Sequence, residues 1–275
     1  MRFEKRYSKG AKLAVCILSA IVGVITIFIG YLLVGLSYKF RLCIGLAIAL
    51  SLLAPSLIVY WEDGWRKKIE DALPKLLDDL ADCHEVGMPL FQALETCSKR
   101  NYGPITEELK KLAAKISFGV NFEKAFMDFS GRIGSDLLSR VTTIIIEAMR
   151  AGGDIKAIFR STAKFVREMV ILRNERESRL RPHLIIVYIT VLVFIAVMVL
   201  LYNSIFTMIK TSFGFFGPPI SLEEFKALFF DLVMMESIFS GLIAGKITQG
   251  RILAGLIHST VLIFVATIIL AFYLF

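Results

Sequence analysis

Apolar residues in this 275-residue chain fall into long runs that are separated by one extended polar stretch. Two early runs, Leu13 to Val34 and Leu42 to Tyr60, contain no charged residue, and the apolar pattern returns from Leu184 onwards. A helix needs roughly 20 apolar residues to cross the hydrocarbon core of a bilayer. The pattern therefore predicts five transmembrane helices, at about 13–34, 42–60, 184–209, 227–245 and 252–275.

The polar stretch has a helical period instead. Its apolar residues recur every three or four positions, as Ile69, Leu73, Leu76 and Leu80 do, and no alternating strand pattern occurs. The predicted helices run over 65–86, 89–100, 104–118, 121–131, 134–151 and 154–181. We expect an all-α integral membrane protein with a six-helix cytoplasmic bundle between the second and third spans. The expected domains are a basic tail with a transmembrane hairpin, the helical domain, and three further transmembrane helices, at 1–61, 62–183 and 184–275.

Loop charge predicts the orientation of these spans. Fourteen lysines and arginines flank the membrane on the side of the N-terminus and the helical domain, against four on the other side. Cytoplasmic loops carry the excess of positive charge. The N-terminus and residues 62–183 are therefore predicted to lie in the cytoplasm of a multi-pass cell-membrane protein, and the C-terminus outside.

Three glycines, Gly87, Gly119 and Gly152, stand where one predicted helix ends and the next begins. A helix commonly ends at a left-handed residue without a Cβ, so each glycine predicts a corner between two helices. Apolar residues follow each glycine at +3 and at +6/+7, where they would face the preceding helix. By itself this pattern indicates only a helical bundle.

Two of these corners lie in segments with wider resemblance, "ALPKLLDDLADCHEVGMPLFQALE" (Ala72–Glu95) and "IIIEAMRAGGDIKAIFRSTAKF" (Ile144–Phe165). They resemble the two signature hairpins of the type II secretion F domain, found in inner-membrane platform proteins of type II secretion systems, type IV pili, tight-adherence pili and archaella. The tail "GLIAGKITQGRILAGLIHS" (Gly241–Ser259) is similar to the end of archaellum- and tight-adherence-type platform proteins. In the second hairpin, Glu147 fits the family pattern only loosely.

The resemblance implies a non-enzymatic assembly platform. Its partners would be a hexameric cytoplasmic ATPase and pilin-like subunits, each with an apolar N-terminal helix. Many platform proteins carry two such domains, so one domain implies a short form that works as a homo-oligomer or with a paralogue. Membrane lipids are further partners, and no nucleic acid is expected.

No cofactor, metal or catalytic residue is predicted. The chain lacks a G-x-x-x-x-G-K-[ST] phosphate loop, a G-x-S-x-G motif and an H-E-x-x-H motif. The histidines His84, His183 and His258 are far apart in sequence, and no cysteine pair has C-x-x-C spacing.

The last helix of the domain carries a basic face formed by Lys156, Arg160, Lys164 and Arg167. Such a run is usually a solvated face. The alternative is a docking surface for an acidic partner, here the ATPase, because exposed charges steer and orient association.

The fourth predicted span carries two acids, Asp231 and Glu236. An acid inside a membrane is costly and is a functional candidate by default. Either residue is a candidate for handling the subunit, or else forms a hydrogen bond to a neighbouring helix. The small-residue faces Gly241/Gly245 and Gly255/Ser259 are predicted to allow close helix packing.

A small ion- or proton-coupled transporter is the rival function, with Asp231, Glu236 and His258 as a relay. Spans 1, 2, 3 and 5 carry no ionised group, and no inverted repeat is evident. A transporter also has little need for a helical insert of this size.

Overall fold

The structure is a computed structural model that describes residues 9–34, 40–212 and 222–274. All regular secondary structure in these ranges is helical. The helices are α1 (Lys9–Val34), α2 (Phe40–Glu85), α3 (Leu90–Ser98), α4 (Ile105–Ser117), α5 (Phe122–Ile133), α6 (Asp136–Arg150), α7 (Ile155–Ser212), α8 (Leu222–Gln249), a 3-10 turn (Ile252–Gly255) and α9 (Leu256–Leu274). Several charges behind the predicted orientation (Arg2, Lys5, Arg6 and Lys39) and the C-terminal Phe275 lie outside the described residues.

The chain divides into two compact units. The helical unit contains Trp61–Arg176, and the apolar unit contains the described residues up to Tyr60 and from Glu177 onwards. Helices α2 and α7 each contribute to both units. The predicted second span and first bundle helix therefore form one helix, and so do the predicted last bundle helix and third span, with Pro182 inside α7.

The helical unit is organised around one apolar core, to which all six of its helical segments contribute. The periodic residues of α2, such as Ile69, Leu73 and Leu77, are fully buried in it. The core's largest side chains include Phe129 on α5 and Phe159 on α7. Burial of these faces explains why helices as short as α3 are stable, since amphipathic helices depend mainly on tertiary packing.

The three glycine corners share one hydrogen-bond pattern. Gly87, Gly119 and Gly152 have φ values of 86°, 81° and 75°, in the left-handed region. At the second corner the N–H of Gly119 donates to the carbonyl of Ile116, and that of Val120 donates to Lys115. The other two corners repeat this pair of bonds at the same offsets. This is the Schellman motif, which satisfies carbonyls left open at the end of a helix.

The next helix starts immediately after each corner. The side chains of Asn121 and Asp154 accept hydrogen bonds from the backbone N–H two residues later, as N-caps do. Pro89 occupies the N-cap position itself, one residue earlier than the predicted first turn, and provides no side-chain cap. The residues at +6 and +7 from each glycine are buried: Ala93 and Leu94, Ala125 and Phe126, Ile158 and Phe159.

The apolar unit has its own core, formed by the first part of α2, the second part of α7, α8 and α9. In α1 the residues packed closely against α2 are small, with Gly23 beside Ser51 and Gly30 beside Cys43. Within the described ranges, five helices are long and apolar enough to cross a membrane. The fold class is therefore all-helical with several candidate spans.

Candidate functional site

Two ion pairs show that the three glycine corners lie at one end of the helical unit. Lys156 at the start of α7 pairs with Glu85 at the end of α2, with Nζ 2.6 Å from Oε1. Arg150 at the end of α6 pairs with Glu123 at the start of α5, with Nη2 2.6 Å from Oε2. The first pair joins the Gly87 and Gly152 corners, and the second joins the Gly152 and Gly119 corners. We call this end of the helical unit the corner end.

The predicted basic face is part of an ion-pair ladder between α2 and α7. Besides Lys156, Arg160 pairs with Asp82 at 2.8 Å and with Glu85 at 2.7 Å, and Arg167 pairs with Asp78 at 2.5 Å. The acids recur at i, i+4 and i+7 on α2, so they form one stripe along that helix. We call these contacts the α2–α7 ladder.

The electrostatics of the ladder follow from this pairing. The hydrogen bond and charge of Lys156, with a further contribution from Arg160, hold the pKa of Glu85 below its ordinary value of 4.5. Three of the four basic side chains are therefore compensated within the chain. Lys164 is exposed and has no ion pair or hydrogen bond among the described residues, so it is the one member of the predicted face whose charge is unmatched.

Two large apolar side chains project at the corner end, and sequence reasoning missed both. Val86 is 72% exposed and Phe118 is 87% exposed, each directly before a left-handed glycine. The residue before such a glycine caps its helix, and here it lies outside the core. A large apolar residue directly before the glycine, which two of the three corners have, was the signal available in the sequence. Exposed apolar side chains mark an interaction site where they form a contiguous patch rimmed by polar residues.

A second group of charges lies on the helical unit away from the corner end. Arg173 pairs with both Glu70 and Asp71, and the Ser135 hydroxyl donates to Glu70 at 2.5 Å. Arg173, one of the fourteen basic residues counted as flanking the membrane, is thus held by protein carboxylates.

The two cysteines of the helical unit are buried beside a polar cluster. Cys83 is 5% exposed and Cys97 is fully buried. Burial raises the pKa of the Cys97 thiol to about 11, so the thiolate is disfavoured. Burial also raises the pKa of Tyr102, whose hydroxyl donates to Asp79 at 2.5 Å. These thiols are expected to be unreactive in the folded protein.

The candidate residues of the apolar unit have separate partners. Asp231 forms an ion pair with Arg41, which also donates to the carbonyl of Ala227. Glu236 accepts a hydrogen bond of 2.8 Å from Ser240, one turn further along α8. His258 Nδ1 lies 2.9 Å from the hydroxyl of Tyr188. The structure therefore does not join Asp231, Glu236 and His258 into one relay.

The small residues of α8 and α9 lie in direct backbone contact. A Cβ on Gly245 would lie 2.0 Å from the backbone N of Gly255, and a Cβ on Gly241 would lie 2.3 Å from the Cα of Ser259. The Ser259 hydroxyl donates to the carbonyl of Ile238. No side chain larger than hydrogen fits at these glycines without moving the two helices apart.

Among the residues that the structure describes, no three His, Cys, Asp or Glu side chains lie close enough together to hold a metal ion. The features that stand out are the corner end, the α2–α7 ladder and the acids of α8.

Comparison with known proteins identifies the class of the central domain. Residues 76–202 match the family described as type II secretion system (T2SS), protein F. These residues are therefore a type II secretion system protein F domain, as the two hairpin motifs predict. The match extends from α2 into the apolar part of α7.

Two curated relatives come from Methanocaldococcus jannaschii. An uncharacterized protein is 27% identical over 216 residues, which are 78% of this chain and 36% of that protein. The Flagella accessory protein J is 26% identical over 123 residues, which are 44% of this chain and 22% of that protein. The chain thus matches about a third of the first relative's length and less than a quarter of the second's. No solved structure matches the chain.

Proposed function

We propose that this protein is a non-enzymatic membrane platform for assembly of a type IV pilus-like filament, an archaellum or a type II secretion system. The observation that carries the proposal is the type II secretion F domain at 76–202, which continues within α7 into an apolar segment long enough to span a membrane. The similarity to a flagella accessory protein supports a filament as the product. Five spans with the N-terminus and the helical unit in the cytoplasm are part of this proposal.

Coupling to a cytoplasmic ATPase is assigned to the helical unit. Lys156, Arg160, Lys164 and Arg167 remain the proposed docking face, with Lys164 as the charge available to a partner. The corner end is proposed as the apolar part of the same contact, because Val86 and Phe118 project there. Arg160 pairs with Glu85 and therefore lies near the corner end. One partner could thus contact both the basic face and the exposed apolar residues of the corner end.

Handling of pilin-like subunits is assigned to the apolar unit, where Asp231 and Glu236 are the candidate residues. Because the close packing of Gly241, Gly245, Gly255 and Ser259 fixes α8 against α9, the acids stand on a defined helix pair. A second copy of the chain, or a paralogous platform protein, would complete the assembly.

Co-purification with the secretion or pilus ATPase of the same organism tests the proposal. The full chain in detergent is expected to retain this ATPase, and Phe118→Ser with Lys164→Glu is expected to reduce retention. Lys110→Glu is the matched control, because Lys110 is an exposed lysine paired only within α4. Filament assembly should stop when the chain is deleted. Normal filaments in the deletion strain, together with no ATPase retention, would refute the platform function.

The rival transporter function gains no support from the described residues. Its three proposed relay groups are bound to different partners, namely Arg41, Ser240 and Tyr188.

A further inference from the structure

The position of Glu236 is unusual for a carboxylate. It lies twelve residues after Glu224 and thirteen before Gln249, the ends of the candidate span on α8. At a rise of 1.5 Å per residue, it is therefore about 18–20 Å from either end. This places the carboxylate near the middle of an apolar helix, where a charge needs a partner.

Two acids of α8, Asp231 and Glu236, differ in whether a cationic side chain lies close to them. Arg41 compensates Asp231. Glu236 has a neutral partner, the Ser240 hydroxyl, and no cation lies within ion-pairing distance of it among the described residues. Five residues correspond to about 140° around a helix, so the two acids lie on different sides of α8.

Glu236 borders an apolar stripe that the protein leaves uncovered. Leu232, Met235, Phe239 and Ile243 are exposed along α8, and Glu236 is half-buried at the edge of this stripe. The opposite side of the helix is buried in the core of the apolar unit, through residues such as Val233 and Ser237. A molecule lying along the stripe would reach the carboxylate without entering that core.

We propose that this edge of α8, formed by Glu236, Ser240 and the adjacent apolar stripe, binds the free N-terminus of an apolar helix. A carboxylate in apolar surroundings is complemented by a cation. A helix N-terminus offers its α-ammonium group together with backbone N–H groups that have no partner in their own helix. Its apolar side chains would cover Phe239 and Ile243.

The depth of Glu236 defines the state of the bound helix. A helix whose N-terminus lies at the depth of Glu236, near the middle of an apolar layer about 30 Å thick, is too deep to have its terminus in water on either side. The site therefore selects a helix that is held part-way through the membrane. This inference rests on the proposed platform function and names the group of the subunit that the site recognises.

Ser240 is the positioning residue of this site. Its hydroxyl donates to Glu236 Oε1 and leaves Oε2 available to the incoming ammonium group. Orientation of a carboxylate by such a bond reduces the side-chain ordering that binding would otherwise require. Threonine retains the hydroxyl, whereas alanine removes it.

A photocrosslinking experiment with the full chain tests the proposal. The chain is placed in nanodiscs of phosphatidylcholine and phosphatidylglycerol, so that no lipid supplies a primary amine. The probes are two apolar leucine–alanine peptides of about 20 residues, one with a free N-terminus and one N-acetylated, each with a photoreactive leucine at its second position. The wild-type chain is expected to crosslink the free peptide about tenfold more than the acetylated one, the effect of one close charge pair.

The variants separate the effect of the Glu236 charge from the effects of a carboxylate elsewhere on α8 and of a lost hydroxyl group. Glu236→Gln should remove the preference for the free N-terminus, whereas Glu224→Gln, which removes a carboxylate elsewhere on α8, should retain it. Ser240→Ala should reduce the preference and Ser240→Thr should restore it. Ser237→Ala is the matched hydroxyl control, because Ser237 donates to the backbone carbonyl of Val233.

Equal crosslinking of the two peptides by the wild-type chain, or no crosslinking of either, overturns the proposal. So does an unchanged preference in Glu236→Gln. ATPase co-purification is measured on the same preparations. Absence of the preference in the wild-type chain, with its ATPase binding intact, refutes this site alone, whereas absence of ATPase binding by the wild-type chain refutes the platform function independently.

Discussion

Lys156 and Glu85 join the start of α7 to the end of α2 across 71 residues of sequence. This contact changes the meaning of the basic face that the sequence predicts. The charges of Lys156, Arg160 and Arg167 looked available to a partner but are paired with acids of the helical unit itself. Any test of this face must therefore distinguish an effect on ATPase docking from an effect on the stability of the helical unit.

Charge exchange across the α2–α7 ladder makes that separation. Reversal of Lys156, Arg160 and Arg167 to Glu places like charges opposite Asp78, Asp82 and Glu85 and should lower the unfolding temperature of the helical unit. Simultaneous change of the three acids to Lys should restore it. Both tryptophans, Trp61 and Trp65, lie in this unit, so tryptophan fluorescence of the full chain measures its unfolding.

ATPase co-purification is then compared between these variants. If the basic face docks the ATPase, the exchanged chain should fold normally yet fail to retain it. Recovery of both stability and retention would show that only the ladder matters, and that the docking charges lie elsewhere.

The helical unit is expected to lose stability in acid. Hydrogen bonding to Arg150 lowers the pKa of Glu123 below its ordinary value of 4.5. Because the pKa of Glu123 is lower in the folded state, its ionised carboxylate contributes to the free energy of unfolding. This contribution is complete above pH 4.5 and is lost as the pH falls through the folded-state pKa. The fluorescence-detected unfolding temperature should therefore fall below pH 4.5, and less steeply in Glu123→Gln. The control Glu107→Gln removes an exposed carboxylate paired within α4 and should keep the wild-type slope.

Alanine at a glycine corner tests backbone conformation alone. A Cβ on Gly87 would meet no atom within 4 Å, yet its φ is 86°. The strain of a left-handed alanine is about 1–2 kcal/mol, so Gly87→Ala should lower the unfolding temperature of the helical unit. Gly131 also has no atom within 4 Å but lies inside α5 with a negative φ. Gly131→Ala should stabilise the helical unit by about 0.5–1 kcal/mol. Equal effects of alanine at Gly87 and Gly131 would contradict this explanation.

The buried cysteines require a different probe for membrane orientation. Because Cys83 and Cys97 are inaccessible in the folded unit, an impermeant thiol reagent would spare them on either side of the membrane. Val86→Cys places an exposed thiol in a background without native cysteines. In intact cells the reagent should modify a cysteine added after the C-terminus and spare Val86→Cys until the cells are opened. Modification of Val86→Cys in intact cells would reverse the predicted orientation.

The contact between α8 and α9 has no room for a methyl group. Gly245→Ala would bring its Cβ to 2.0 Å from the backbone N of Gly255, so the two helices must separate. We expect loss of folded, monodisperse protein on size-exclusion chromatography in detergent. Gly64→Ala on α2 meets nothing within 4 Å and should elute as the wild type does. Normal elution of Gly245→Ala would mean that this contact is dispensable.

The helices and corners were predictable because their causes are local. Periodic burial locates α3 to α6 to within a few residues, and the Schellman motif depends on a glycine at the helix end. The partners of charged residues were not predictable in this way. Helical periodicity places Arg160 on a face but does not specify which helix lies opposite, and Arg41 and Asp231 are 190 residues apart. The continuity of α2 through residues 61–64 was missed because a change in polarity there is not a helix-breaking signal.

The long sequence separation within the α2–α7 ladder also has a consequence for biosynthesis. A ribosome makes α2 well before it makes α7, and chains fold as their segments emerge. Asp78, Asp82 and Glu85 therefore leave the exit tunnel as an uncompensated acidic stripe, while α3 to α6 can already form their local hairpins. The nascent unit can close only after Lys156 and Arg160 have been added. During that interval the stripe is open to any basic surface near the ribosome or the membrane.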